Sequence, residues 1–293
     1  MRDPDLRRTW LFGAGAERAT HAAMAASGAD VLIQDLEDFT PPARRAEARA
    51  LAAPLYASWR AAGRIACVRI NRLRDGGADD LDAVLAARPD IVAYPKAAGA
   101  ADMRELDAEL ARRERALGLP VGTTELLPVA ETALGVVTVR EMAAASPRVR
   151  CALLGAEDLA ADLCAERGRD AVELDHARRR FLLECRAAGI EPVDAPYTFA
   201  DADGAAAEAA YARRLGYRCK SLVRPEHAAR LNAVLTPSAD ECDRARRLIA
   251  AFAAGRARGE DRVLVDGLWV EVPMVMTAER LLARAARLAG AER

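Results

Sequence analysis

The segment LLPVAETALGVVTVREMAAASPRVRCALLGAED, residues 126–158, decides the fold. One apolar run, Leu126 to Ala130, stops at Glu131; a second, Cys151 to Ala156, leads to Asp158. The two acids stand 27 residues apart, the length of a strand, a crossover helix and the next strand. In a parallel sheet that spacing brings both carboxylates to the C-terminal ends of neighbouring strands. Two hard oxygen donors with room left for water and substrate suit Mg²⁺ better than a closed protein cage does. Alone, Asp158 ahead of a helix also reads as an N-cap. Paired with Glu131 at one strand–helix period, it reads as a metal ligand.

Outward from this segment the pattern repeats. TWLFGAG (9–15), ADVLIQDLED (29–38), IACVRIN (65–71), DIVAYPKA (90–97), ELLPVAE (125–131), residues 149–156, EPVDAPYT (191–198) and YRCKSLVRP (217–225) read as strands. Helices are expected at 16–27, from Pro41 to Gly63, at 78–88, 101–117, 136–145 and 204–215, with two more between Asp158 and Gly189 broken near Gly168. A period of two puts Val31, Ile33, Asp35 and Glu37 on one face, and Arg69 with Asn71 on another. Polar residues at the strand ends, Glu37, Arg69, Lys96, Glu131 and Asp158, recur every 27 to 35 residues. Eight such units predict an α/β TIM (β/α)8 barrel over residues 1–236, with its active site at the C-terminal rim. An open doubly wound sheet would carry a glycine-rich phosphate turn, and GAGAER (13–18) is not one. Residues 237–293 are extra to the barrel: a helix (238–255), a hairpin about Asp266–Gly267 and a helix (276–289), read as a lid or oligomerisation extension.

Composition narrows the function. A net charge of −1 sets up no field for nucleic acid. No apolar leader and no 18-residue apolar span occur, so a cytoplasmic protein with no membrane partner is expected. Six scattered cysteines without a CxxC read as free thiols, most of them buried. His21, His176 and His227 lie in helical runs away from strand ends, which points away from histidine-based chemistry. Lys96 and Lys220 are the two lysines among 43 basic residues.

RRTWLF (7–12), SGADVLIQDLED (27–38), PPARRAEARA (41–50), VRINRL (68–73), YPKA (94–97), VAETALG (129–135), LLGAEDLAADL (153–163) and VDGLWVEVP (265–273) occur in that order. Together they resemble the citrate lyase β-subunit-like family, the malyl-, citramalyl- and citryl-CoA lyases of the HpcH/HpaI aldolase and citrate lyase superfamily. The resemblance implies a barrel with a C-terminal lid, Mg²⁺ (or Mn²⁺), and coenzyme A as part of the substrate. It also implies reversible carbon–carbon cleavage of a 3-hydroxyacyl-CoA, and assembly as homotrimers or hexamers with the lid reaching a neighbour.

Carried over residue by residue, it puts the metal on Glu131 and Asp158. The transition-state arginine falls on Arg69, and the strand-two acids on Asp35, Glu37 and Asp38. Lys96, Gly155 and Ala156 join the substrate-binding set. Proton transfer falls on Glu271 and a coenzyme A phosphate contact on Arg45. Glu271 is one methylene longer than the usual acid, Arg224 of CKSLVRP replaces a histidine, and GAGAER replaces the usual first loop. Those departures bear on the acyl group and the oxo acid. They leave room for a thioester hydrolase, an aldolase acting without coenzyme A, or a non-catalytic partner subunit. Each residue also has a plainer reading: Arg69 as an ion pair with Glu37, Lys96 as a rim salt bridge, Arg45 and Glu271 as solvated charges, and Trp269 as packing for the extension.

Overall fold

Apolar side chains at every second position of short β-rich runs need cover on both faces, and here a closed sheet provides it. In the computed structural model, which describes residues 2–291, eight parallel strands pair in sequence order and close into a barrel. They are β1 (Thr9–Ala14), β2 (Val31–Asp35), β3 (Ile65–Arg69), β4 (Ile91–Tyr94), β5 (Glu125–Ala130), β6 (Cys151–Leu154), β7 (Glu191–Tyr197) and β8 (Cys219–Leu222). The ring is sealed where Thr9, Trp10 and Leu11 pair with Lys220, Ser221 and Leu222. The helices that follow the strands are α1 (Arg18–Ala26), α2 (Arg45–Ala61), α3 (Gly77–Val84), α4 (Ala100–Ala116), α5 (Ala133–Ala145), α6 (Glu157–Asp162), α7 (Asp175–Ala188), α8 (Ala202–Leu215) and α9 (Ala228–Leu235). This is a TIM (β/α)8 barrel.

Alternate residues fill its interior: Trp10 and Phe12, Val31 and Ile33, Ile91 and Ala93, Leu127 and Val129, among others. At the N-terminal end the Arg7 guanidinium closes the barrel on Glu125, at 2.6 and 3.0 Å. At the opposite end the interior rows run on into charged residues: Asp35 continues Val31 and Ile33, and Arg69 continues Ile65 and Cys67.

Several strands stop earlier than their sequence pattern suggests. The Asp35 carboxylate accepts the N–H groups of Glu37 (2.8 Å) and Phe39 (3.2 Å). This turns the chain out of the sheet, so Glu37 and Asp38 stand in a loop instead of on a strand face. β4 ends before Pro95, which has no N–H to give. β6 ends at Leu154, and Asp158 lies inside the first turn of α6, whose N-cap position is Ala156. The N-cap reading of Asp158 is thereby corrected.

The chain divides into two compact units, the barrel (Asp3–Asn232) and a segment from Ala233 onward. In the latter, α10 (Ala239–Ala257) opens on a capping box between Ser238 and Glu241. A two-stranded hairpin of β9 (Val263–Val265) and β10 (Leu268–Val270) follows. Asp266 and Gly267 turn it with positive φ of 48° and 79°, as a type I′ turn requires. The last helix, α11 (Val272–Ala291), starts four residues earlier than 276, with Pro273 accommodated in its first turn. Phe252, Val263 and Val270 form this unit's core. Trp269, on the opposite face of β10, is half exposed with the Arg262 guanidinium 4.6 Å from its ring centre. It therefore does not pack the core as expected. No helix among the described residues is long and apolar enough to cross a membrane.

Candidate active site

Neighbouring strands β2 and β3 set Asp35 directly opposite Arg69. Both side chains continue interior rows of the barrel, so they meet. Arg69 Nε donates to Asp35 Oδ1 at 2.9 Å and Nη2 to Oδ2 at 2.5 Å. The remaining terminal nitrogen, Nη1, faces Glu37 at 3.0 Å and Glu131 at 3.9 Å. The guanidinium also lies 5.1 Å from the ring centre of Phe12 and 5.6 Å from that of Phe39. Burial opposes its charge, but Asp35, Glu131 and Glu37 outweigh that and raise its pKa. Arg69 is a fixed, permanent cation. Its ion pair with Glu37 exists, while Asp35 is its main partner.

Glu131 follows β5 directly, just ahead of Thr132, whose side chain caps α5 by accepting the Gly135 N–H at 3.0 Å. Its Oε1 accepts the backbone N–H of Lys96 at 2.7 Å. From the other side Gly155 fits against it: a Cβ there would lie 2.4 Å from Glu131 Cβ. Burial, with help from Asp158 and Glu37, pushes the Glu131 carboxyl up to about 7 against the pull of Arg69 and Lys96. Glu37 is likewise raised by burial, with Arg69 and Lys96 pulling the other way.

Lys96 Nζ donates to Glu37 Oε1 at 2.6 Å and lies 3.5 Å from Asp38 and 3.6 Å from Asp158. Burial disfavours the ammonium, yet Glu37 and the other acids raise its pKa. The rim salt bridge read from sequence is thus present, and it links loops after β2, β4 and β6.

These groups surround one cavity of about 430 Å³ at the C-terminal rim. Asp38, Arg69, Glu131, Gly155, Ala156 and Asp158 line it. Asp35 does not reach it; fully buried, it stands behind Arg69 and holds it. Asp35, Glu37, Glu131 and Asp158 meet two cations, Arg69 and Lys96, which leaves two negative charges before Asp38 is counted. That surplus, and two cavity-lining carboxylates from adjacent strands, fit a divalent cation that takes its other ligands from substrate and water. No group of three or more His, Cys, Asp or Glu among the described residues forms a fuller cage, in keeping with that donor set.

Other candidates fall elsewhere. Arg45, the first residue of α2, is half buried and does not line the cavity. Glu271 lies in the C-terminal unit, exposed between β10 and α11. His21 and His227 are buried, with ring nitrogens 2.9 and 3.2 Å from the carbonyls of Ala14 and Ala200. Sequence reasoning missed Phe12, Phe39, Thr198 and Val223, all of which line the cavity. Phe12 carried a signal, since it shares the strand parity of buried Trp10; Phe39, in a loop, carried none.

The profile of the HpcH/HpaI aldolase/citrate lyase family matches residues 8–225. Citrate lyase subunit beta of Escherichia coli (strain K12) is 36% identical over 286 residues, covering 95% of this chain and 93% of that protein. L-malyl-CoA/beta-methylmalyl-CoA lyase of Cereibacter sphaeroides (strain ATCC 17029) is 33% identical over 304 positions, covering 95% and 94%. The crystal structure of protein CitE from Mycobacterium tuberculosis, in complex with magnesium, acetoacetate and coenzyme A, matches with a TM-score of 0.75 and 30% identity, covering 95% of this chain and 98% of that one. Carboxylates at the ends of two adjacent strands, a buried arginine beside them and these full-length likenesses agree: the chain belongs to the HpcH/HpaI aldolase/citrate lyase family.

Proposed function

We propose that this protein is a Mg²⁺-dependent lyase that reversibly cleaves a carbon–carbon bond of a 3-hydroxyacyl-CoA ester. The observation that carries the reading is the shared cavity of Glu131 and Asp158 with Arg69 at its wall. The lyases among its relatives, and the magnesium and coenzyme A named for the solved relative, support it.

Glu131 and Asp158 would hold Mg²⁺, which when bound supplies Lewis-acid polarisation of the carboxylate and hydroxyl (later carbonyl) oxygens of the acid fragment. Cleavage breaks the bond between the acyl α-carbon and the carbinol carbon. The hydroxyl loses its proton and becomes the carbonyl of the released oxo acid. The bonding electron pair stays on the α-carbon side as an enolate, which takes up one proton to give the acyl-CoA. Arg69, immobilised by Asp35, offers the developing oxyanion a charge that needs no reorganisation. Glu37 and Lys96 hold one another in place beside it. Glu271, on the C-terminal unit, is assigned the proton at the α-carbon, and Arg45 a phosphate of coenzyme A. Assembly as a trimer or hexamer, with the C-terminal unit as lid, belongs to the same proposal.

The test is incubation of the purified protein and Mg²⁺ with malyl-, citramalyl- and citryl-CoA, following both halves by mass spectrometry. Acyl-CoA and oxo acid appearing together support the reading. Free coenzyme A with the hydroxy acid intact indicates a thioester hydrolase, and intact esters throughout reject both.

A further inference from the structure

The cavity has two chemically different ends. Its acids gather at one side, whereas Phe12, Val129, Leu153, Pro196 and Val223 make the remaining wall apolar. Phe12, Val129 and Leu153 belong to the top of the barrel's packed interior, and Val223 rests on it, so this wall is rigid.

Charge on the lining is one-sided. Asp38, Glu131, Glu157 and Asp158 face the cavity, and among the described residues that line it Arg69 is the single cation. Each of the three guanidinium nitrogens already faces an acid: Nε and Nη2 meet Asp35, and Nη1 meets Glu37. Lys96 is held among Glu37, Asp38 and Asp158. Two further arginines nearby are committed elsewhere. Arg167 turns to Glu173 at 2.5 Å and Glu157 at 3.2 Å, and Arg224, next to Val223, lies 3.4 Å from Glu226. A second carboxylate on the acid fragment would meet apolar side chains and like charge, with no cation to receive it. Size points the same way. At about 30 Å³ per water-sized group, glyoxylate or pyruvate would occupy roughly half or less of the 430 Å³ cavity and leave the apolar wall bare.

We propose that the oxo acid this site takes is a monocarboxylate bearing an apolar side chain, selected by Phe12, Leu153, Pro196 and Val223, and that dicarboxylic oxo acids are excluded. The assignment rests on the reading that Glu131 and Asp158 form the metal-binding end. The probes are 4-methyl-2-oxopentanoate and fresh oxaloacetate, which have the same shape but differ by an isopropyl group against a carboxylate.

Binding of each to the full-length protein loaded with Mg²⁺ is measured by calorimetry, and condensation with acetyl-CoA separately by mass spectrometry. The branched acid is expected to bind at least about tenfold tighter. Equal or tighter binding of oxaloacetate, or binding of neither acid, overturns the proposal. The expected order of binding without any condensation sustains the selectivity and rejects the lyase reading. Condensation of both acids at equal kcat/KM sustains the lyase reading and rejects the selectivity. Val223→Arg, and Thr198→Arg at the exposed rim in case the first fails to fold, should each shift the ratio toward oxaloacetate by about tenfold. An unshifted ratio in both folded variants overturns the assignment of that wall.

Discussion

The backbone N–H of Lys96 donates to Glu131 Oε1 at 2.7 Å, and Lys96 holds a left-handed φ of 49° in that position. One residue thus orients a metal-ligand candidate through its amide and balances Glu37 through its ammonium. A non-glycine residue in this region carries about 1–3 kcal/mol of strain. Lys96→Gly keeps the amide and relieves the strain, whereas Lys96→Ala keeps the strain; both lose the ammonium. Denaturant unfolding should therefore find the glycine variant about 1 kcal/mol more stable than the alanine variant, with similar losses of activity. Equal stabilities would show the backbone there to be relaxed.

Gly155 leaves Glu131 its space. A methyl group at 155 would sit 2.4 Å from Glu131 Cβ and 3.0 Å from its Oε2, so the carboxylate must move. Gly155→Ala should weaken Mg²⁺ binding at least about tenfold and destabilise by about 1–3 kcal/mol. Calorimetric titration checks the first, and an unchanged Mg²⁺ affinity would deny Glu131 its role.

The Glu131 carboxyl, raised to about 7 by burial, sets a pH dependence with a definite sign. Its folded value lies above the unfolded one, so the neutral acid is favoured in the metal-free fold. That contribution is fully present below the unfolded value and is lost as pH rises through about 7. Metal-free protein should lose about 3 kcal/mol over this window. Mg²⁺ needs the carboxylate, so its affinity should rise about tenfold per pH unit up to 7 and level off above. Glu131→Gln should flatten the stability profile; a wild-type profile already flat between pH 4.5 and 7 would contradict the assignment.

Asp35 acts through Arg69. Asp35→Asn leaves a buried guanidinium with one fewer full charge beside it, and should lower stability by about 3–5 kcal/mol. Cleavage should slow far more than Mg²⁺ affinity changes, because Asp35 does not line the cavity. Parallel measurement of kcat and the Mg²⁺ Kd separates the two, and equal losses in both would place Asp35 on the metal.

The barrel was legible because its strands obey a period of two and recur at a fixed interval, and the same parity carried Arg69 and Glu131 to the rim. Parity failed one step too far at Glu37, because the Asp35 side chain takes the N–H groups that the strand would have used. The two lysines looked alike in sequence. Lys96 reached the site, but Lys220 sits next to interior-facing Cys219 and points the other way, buried against Asp194 at 2.7 Å and Glu208 at 2.6 Å. Trp269 illustrates the same limit, since a three-residue strand is too short for its pattern to tell which face is covered.

The account depends most on joint metal binding by Glu131 and Asp158. Calorimetric Mg²⁺ titration at pH 8 of wild type, Glu131→Ala and Asp158→Ala, each shown to be folded, tests it directly. The prediction is one site per chain in the wild type and at least about a hundredfold loss of affinity in either variant; undiminished binding in either one would contradict it.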